Sequence, residues 1–186
     1  MADRWDALRG LVSARTLAHC RAVVDEAVRL SAVFGADARK LELAAALHDC
    51  AKDLPLASYV PLARELGIEP FEAELASPRV LHQRIGAAWA TARFGVADPA
   101  VVAAIACHTT GRAEMDALAR CLMVADYVSP DRDYAGVEEL RRASEQGAEA
   151  GFAAVLAFKR SMVAARGLAE HLWAKEAYAR WLGSRG

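Results

Sequence analysis

The chain has 186 residues, 55% of them hydrophobic and only 7% aromatic, with a formal net charge of -1. That length suits one domain with a sizeable core, and the near-neutral charge excludes a general nucleic-acid binder, which needs a basic face. The longest apolar run, Ala100 to Cys107, has eight residues, well short of the roughly 20 of a membrane span. The opening MADRWDALRG is charged and lacks a signal-peptide core, so the expectation is a soluble cytoplasmic protein. The four cysteines, Cys20, Cys50, Cys107 and Cys121, show no CxxC spacing and are expected reduced.

Stretches with 3.6-residue periodicity alternate with short Gly/Pro/Asp breaks, which predicts an all-α fold. A short helix covers about Arg4–Val12. Ser13 caps a long helix that ends near Phe34, with Gly35 as its stop. Asp37 caps the next, running to about Lys52, and Leu56–Leu66 is followed by a loop over residues 67–77. Pro78 opens a helix containing His82 that ends at Phe94–Gly95. Further helices cover Pro99 to His108 and Ala113–Val128. SPDRDYAG is a turn-rich segment, and the rest, from Val137, is helical with breaks at Gly147, Gly151 and Gly167. The whole chain, 1–186, is expected to be one domain, with its core at about residues 13–143 and the C-terminal helices of 137–183 packed on it.

Of the five histidines, His19, His48, His82 and His108 fall on four separate predicted helices, each flanked by small or apolar residues: LAHC, ALHD, VLHQ and ACHT. One such histidine is ordinarily a core or surface residue with a hydrogen-bond partner. Four on inward faces are placed to converge, and imidazole is the commonest metal ligand. Asp126 lies in strongly apolar CLMVADYV, where a lone buried carboxylate is costly. Adjacent helix residues point about 100° apart. His48 and Asp49 therefore share a metal only near a helix end, or if the carboxylate swings between two metals. His171, in AEHLWAKE, stands apart and reads as structural.

Taken in order, His19, His48-Asp49 and Asp126 resemble the H…HD…D signature of the HD-domain phosphohydrolase superfamily. LHDCAKDLP, LHQRIGAAWA, CHTTGR, ADYVSPDR and GVEELR further resemble the YqeK-like subfamily, the symmetrical bis(5'-nucleosyl)-tetraphosphatases, over about Ser13 to Ala143. The resemblance implies a helical HD domain with a two-metal, typically iron, centre that cleaves diadenosine tetraphosphate into two ADP by hydroxide attack on a phosphoanhydride. It implies one metal on His19, His48, Asp49 and Asp126, and a second on Asp49, His82 and His108, with Asp49 bridging. An N/O donor set without thiolate suits Fe, Mn, Co or Ni better than a closed structural zinc site. The family often carries an arginine three residues before its first histidine. Thr16 holds that position here, and Arg15 lies one step earlier.

Lys52, four residues after His48, shares its helix face and is placed to hold a phosphate oxygen. Asp53 is a candidate to orient Lys52 or the attacking water. In HTTGR, Thr109 and Thr110 offer hydroxyls, Gly111 permits close backbone approach and Arg112 is able to clamp phosphate. Arg132 in SPDR is a similar candidate. No P-loop or Rossmann glycine motif is present. Two other readings remain open: another HD-type nucleotide hydrolase, such as a deoxynucleotidase, and a non-catalytic nucleotide-binding helical module. The C-terminal helix, with Leu168, Leu172, Trp173, Tyr178 and Trp181, either caps the core or forms a homodimer contact.

Overall fold

A computed structural model describes residues 4–183, and among them there are helices and turns but no strand. Helix α1 is Arg4–Arg9 and α2 is Ala14–Phe34. Ser13 caps α2 by accepting the Thr16 N–H, and Gly35, at φ 64°, closes it in the left-handed conformation open to glycine. Helix α3 (Ala38–Leu47) starts on Asp37, whose carboxylate takes the amides of Arg39 and Lys40. It stops five residues before the predicted end, and residues 48–53 form a turn. A 3-10 turn at Leu56–Ser58 leads into α4 (Tyr59–Glu65).

The predicted loop at 67–77 contains a helix, α5 (Glu72–Ala76). Glu74 reaches back to the Phe71 amide and caps it. Pro78–Leu81 is a 3-10 turn, followed by α6 (His82–Phe94), α7 (Pro99–Cys107) and α8 (Ala117–Val128). Asp116 caps α8 at Ala119, so residues 113–116 lie outside the helix predicted there. The C-terminal part holds α9 (Val137–Gln146), α10 (Ala148–Ala165) and α11 (Leu172–Trp181). The expected break at Gly151 is absent: α10 runs through it. A Cβ there would sit 2.8 Å from the Ser144 Cα, so this glycine serves close packing of α10 on α9.

Helices α2, α3, α7 and α8 pack on one another, and α6 lies on α7. Their contact is filled by Leu30, Leu41, Leu47, Ile85, Ile105 and Leu122, all fully buried. Each such side chain contributes about 1.5–3 kcal/mol relative to exposure. This packing holds the ends of α3 and α7, the start of α6 and the last turn of α8 around one point. No helix among the described residues is long and apolar enough to cross a membrane.

Candidate metal centre

Six side chains from five helices meet at that point: His19 from the second turn of α2, His48 and Asp49 just past α3, His82 opening α6, His108 just past α7, and Asp126 in the last turn of α8. All six are buried. The turn at 48–53 explains how adjacent His48 and Asp49 face the same centre, which a continuing helix would forbid. Close approach of α6 to that turn is allowed by Gly86, where a Cβ would meet the His48 carbonyl oxygen at 3.4 Å.

The remote ring nitrogens fix the imidazoles. Nδ1 of His48, His82 and His108 lies 2.7, 2.7 and 2.8 Å from the carbonyl oxygens of Ala45, Arg79 and Ile105, three residues earlier in each case. Nδ1 of His19 lies 2.8 Å from Asp131 Oδ2. A carbonyl or carboxylate oxygen only accepts, so each Nδ1 carries a proton, and in a neutral ring the Nε2 lone pair is then the atom turned toward the centre.

Asp49 divides the centre. Its Oδ1 lies 3.1 Å from His82 Nε2 and 3.5 Å from His108 Nε2. Its Oδ2 lies 3.5 Å from His48 Nε2 and 3.8 Å from His19 Nε2. Asp126 Oδ1 is 2.9 Å from His19 Nε2 and 3.8 Å from His48 Nε2.

These donors lack enough protons to satisfy one another. Nε2 of His82 and His108 stand 3.1 Å apart, lone pair to lone pair, and the buried His48 Nε2 has no hydrogen-bond partner. A cation among them resolves both conflicts, so the residues present fit a divalent metal site. Protonation follows the same logic. Burial raises Asp49, but the charges of His48 and Lys52 outweigh it and hold the carboxyl well below its usual range. Asp126 is likewise raised by burial and held well below its usual range by His19, Arg132 and His48. Burial, then Lys52, press His82 down to about 4. At neutral pH the set therefore offers ionised carboxylates and a neutral His82.

A cavity of about 580 Å³ opens onto the centre, lined by His19, Asp49, Lys52, Asp53, Arg132, Arg15 and Arg79 among others. Lys52 Nζ is 3.2 Å from Asp49 Oδ1 and 3.3 Å from His82 Nε2. Asp53 Oδ2 accepts the Ser13 amide at 2.8 Å and so ties the turn to the start of α2. Thr109 Oγ1 stands 3.2 and 3.0 Å from Nε2 of His82 and His108. Arg132 pairs with Asp126 Oδ1 and donates through Nε to the Asp126 carbonyl at 2.8 Å, so its guanidinium is already engaged on a carboxylate of the centre.

Three candidates lie elsewhere. The Thr110 hydroxyl is buried on Gln83, which donates to it at 3.0 Å. Gly111, at φ 68°, packs against Leu156 and Ala177. Arg112 donates to the Glu114 carbonyl at 2.8 Å and lines a separate cavity with Met115, Asp116 and Trp181. The physical reason is common to all three. Helix α7 ends at Cys107, and the left-handed turn at Gly111 carries the chain away from the centre.

Sequence reasoning missed Asp131, Gln83, Arg15 and Arg79. Asp131 carried a signal, an acidic residue five positions past Asp126, but its partner His19 is 112 residues away. Thr16 is buried against the α2 cap, its Oγ1 3.2 Å from Ser13 Oγ, while Arg15 lines the cavity.

This helical domain, with its buried cluster of histidines and aspartates, belongs to the HD-domain family: residues 16–131 match the HD domain. More particularly, it is 36% identical over 129 residues to the symmetrical bis(5'-nucleosyl)-tetraphosphatase of Bacillus subtilis (strain 168), covering 68% of each chain. The match to the same-named protein of Staphylococcus aureus (strain NCTC 8325 / PS 47) is 33% identical over 125 residues, covering 66% of this chain and 63% of the relative. A crystal structure titled as a predicted HD superfamily hydrolase involved in NAD metabolism, from Clostridium acetobutylicum, superposes with a TM-score of 0.91 at 29% identity. It covers 98% of this chain and 96% of the other.

Proposed function

We propose that this chain is a di-metal hydrolase that cleaves diadenosine tetraphosphate, or a closely related dinucleoside polyphosphate, symmetrically into two nucleoside diphosphates. One observation carries the reading: the two oxygens of Asp49 face different donor groups, His82 with His108 on one side and His19 with His48 on the other. In this reading Asp49 is shared between two ions. His19, His48 and Asp126 complete one set, and His82 and His108 complete the other. Iron is the metal that the family resemblance implies; the all N/O donor set without thiolate supports it, as it would Mn, Co or Ni. When bound, a pair of divalent ions supplies hydroxide at neutral pH and stabilises the attacking and leaving oxygens of an in-line displacement.

The chain's own residues do the rest. Lys52 places its ammonium at the centre's open side, where it neutralises a phosphate oxygen as charge moves toward the leaving diphosphate. Arg15 and Arg79, at the cavity wall, match the remaining charge of a four-phosphate chain. Asp53 holds the 48–53 turn, and so Lys52, in position. Arg132 holds Asp126 ionised and oriented.

A single-metal HD nucleotidase has no use for His82 and His108, which disfavours the deoxynucleotidase-like alternative. A non-catalytic module has no need of so many inward lone pairs. Product identification tests the assignment. Chromatography of a diadenosine tetraphosphate reaction is expected to show ADP as the sole nucleotide product. ATP with AMP in equal amounts rejects symmetric cleavage even if the metal site stands.

A further inference from the structure

The cavity over the centre has an aromatic wall that neither the metal ligands nor the cations explain. Tyr134, in the turn between α8 and α9, lines it beside Arg132 and Asp133. Apart from the imidazole of His19 it is the one aromatic ring there among the described residues. The same three residues line an adjoining cavity of about 440 Å³, which follows the start of α9 past Gly136, Glu138 and Arg141. That volume falls within the roughly 300–1,000 Å³ of small-molecule sites. Tyr134 therefore stands where the charged space over the centre gives way to a second space large enough for a nucleoside.

The ring is held from behind. Phe158 of α10 stacks on it, with centroids 5.2 Å and planes 21° apart. Phe158 also meets Tyr127 edge-on at 6.4 Å, and Tyr127 follows Asp126 on α8. The Tyr134 hydroxyl donates to the Tyr127 carbonyl at 2.5 Å. Burial pushes that hydroxyl up to about 12, so with its proton committed it takes no part in acid–base work at neutral pH. One face and the hydroxyl are thus engaged, yet the residue is only half-buried. The face turned from Phe158 is what remains for the two cavities to meet.

We propose that Tyr134 is the stacking platform for one nucleobase of the substrate, with that nucleoside seated along the start of α9 and its phosphates running past Arg132 to the centre. The assignment rests on the reading of the site as one for dinucleoside polyphosphates. Lys52, Arg15 and Arg79 match phosphate charge, but none of them offers a π-face to a base. A ring fixed on two sides loses little freedom when a base stacks on it. Such a contact is worth roughly 5- to 150-fold in affinity, and it tolerates any base because every base has a π-face.

The test is calorimetric titration of metal-loaded protein with ADP, and with methyl diphosphate as a probe that carries the same phosphates and no base. Tyr134→Leu is expected to weaken ADP roughly 5- to 150-fold and to leave methyl diphosphate within about twofold of wild type. Tyr134→Phe, which keeps the ring and loses the hydroxyl, is expected to hold ADP within about threefold. ADP affinity unchanged in Tyr134→Leu, an equal loss for both probes, or a full loss in Tyr134→Phe overturns the proposal. If Tyr134→Leu does not fold, wild-type crystals soaked in ADP decide: adenine is expected offset-stacked on Tyr134, ring centroids roughly 4.5–7 Å apart, and adenine seated anywhere else overturns it. Neither arm depends on turnover. Diadenosine tetraphosphate left intact, or cut to ATP and AMP, would reject the proposed reaction, while the ADP data alone uphold or overturn the platform.

Discussion

Two buried clusters of histidine and acid lie in this fold, and they hold their protons in opposite places. At the centre, four Nδ1 atoms donate to oxygen acceptors, so the Nε2 lone pairs face inward and crowd one another at 3.1 Å between His82 and His108. At the second cluster, His171 caps α11 by accepting the Trp173 amide on Nδ1 at 3.1 Å, so its ring proton sits on Nε2. That nitrogen lies 3.2 Å from Glu74 Oε1, an ion-pair contact outside good hydrogen-bond alignment. Glu74 is also bound by Arg84 at 2.6 Å and by the Phe71 amide at 2.9 Å. The first cluster has more lone pairs than protons and calls for a cation. The second closes on itself and joins α5 and α6 to α11. The partner of the remote nitrogen, rather than burial or residue type, separates a ligand from a structural histidine.

The largest effect that would break this contrast is at Asp49. Asp49→Ala removes the carboxylate shared by both donor groups. It is expected to lose essentially all bound metal and at least ~10³-fold in rate, the scale of losing a dominant electrostatic contribution. Metal analysis with a hydrolysis assay checks it, and full metal content in the variant would refute the shared-ligand reading. Chelation acts on the same cluster without changing the chain. Removing the metal restores the lone-pair conflict, so the unfolding midpoint falls and recovers on adding metal back. Calorimetry of apo and reloaded protein measures this, and the His171 cluster predicts no such dependence for itself.

Lys52→Ala leaves the ligands in place. It is expected to keep its metal and fold but lose roughly 30- to 1000-fold in rate, about 2–4 kcal/mol of transition-state stabilisation. Wild-type turnover in that variant would remove Lys52 from the chemistry.

The helices, their caps at Ser13, Asp37, Asp98 and Asp116 and the meeting of four histidines carry local signals: periodicity, capping residues, and imidazoles in apolar runs. Of those caps, Asp98 and Asp116 show how a short side chain next to an apolar run marks a helix start, although the sequence places the second helix four residues too early, from Ala113. What stayed hidden depends on tertiary contact. The Asp131–His19 pair joins residues 112 positions apart. Glu74 meets His171 across the fold, which is why His171 looked to lack an acidic partner. The end of α3 at Leu47 and the departure of the chain at Gly111 decide that Asp49 and Thr109 reach the centre while Arg112 does not.

Smaller effects sharpen the contrast from the other side. Glu74→Gln is expected to cost about 1–3 kcal/mol of stability, because Arg84 loses its buried counter-charge, with metal content unchanged. Burial alone would raise the Glu74 pKa. Contacts from His171, Phe71 and Arg84 outweigh it and lower the value below that of the unfolded chain. Its stabilisation is therefore present above about pH 4.5 and is lost as pH falls through the depressed folded value. Denaturant unfolding of both proteins at pH 7 and pH 3.5 is expected to show the gap closing in acid. Smallest of all, Arg112→Ala is expected to hydrolyse within about twofold of wild type, since its guanidinium faces another cavity. A loss on the Lys52 scale would put Arg112 back at the substrate.

The central claim is that Asp49 stands between two metal ions, and an anomalous difference map of metal-loaded crystals, collected at the metal's absorption edge, tests it most directly. The account predicts two peaks roughly 3.5–4 Å apart, one contacting His19, His48 and Asp126, the other His82 and His108, with one oxygen of Asp49 on each. A single peak on His19, His48, Asp49 and Asp126, with none beside His82 and His108 in fully loaded protein, would contradict it.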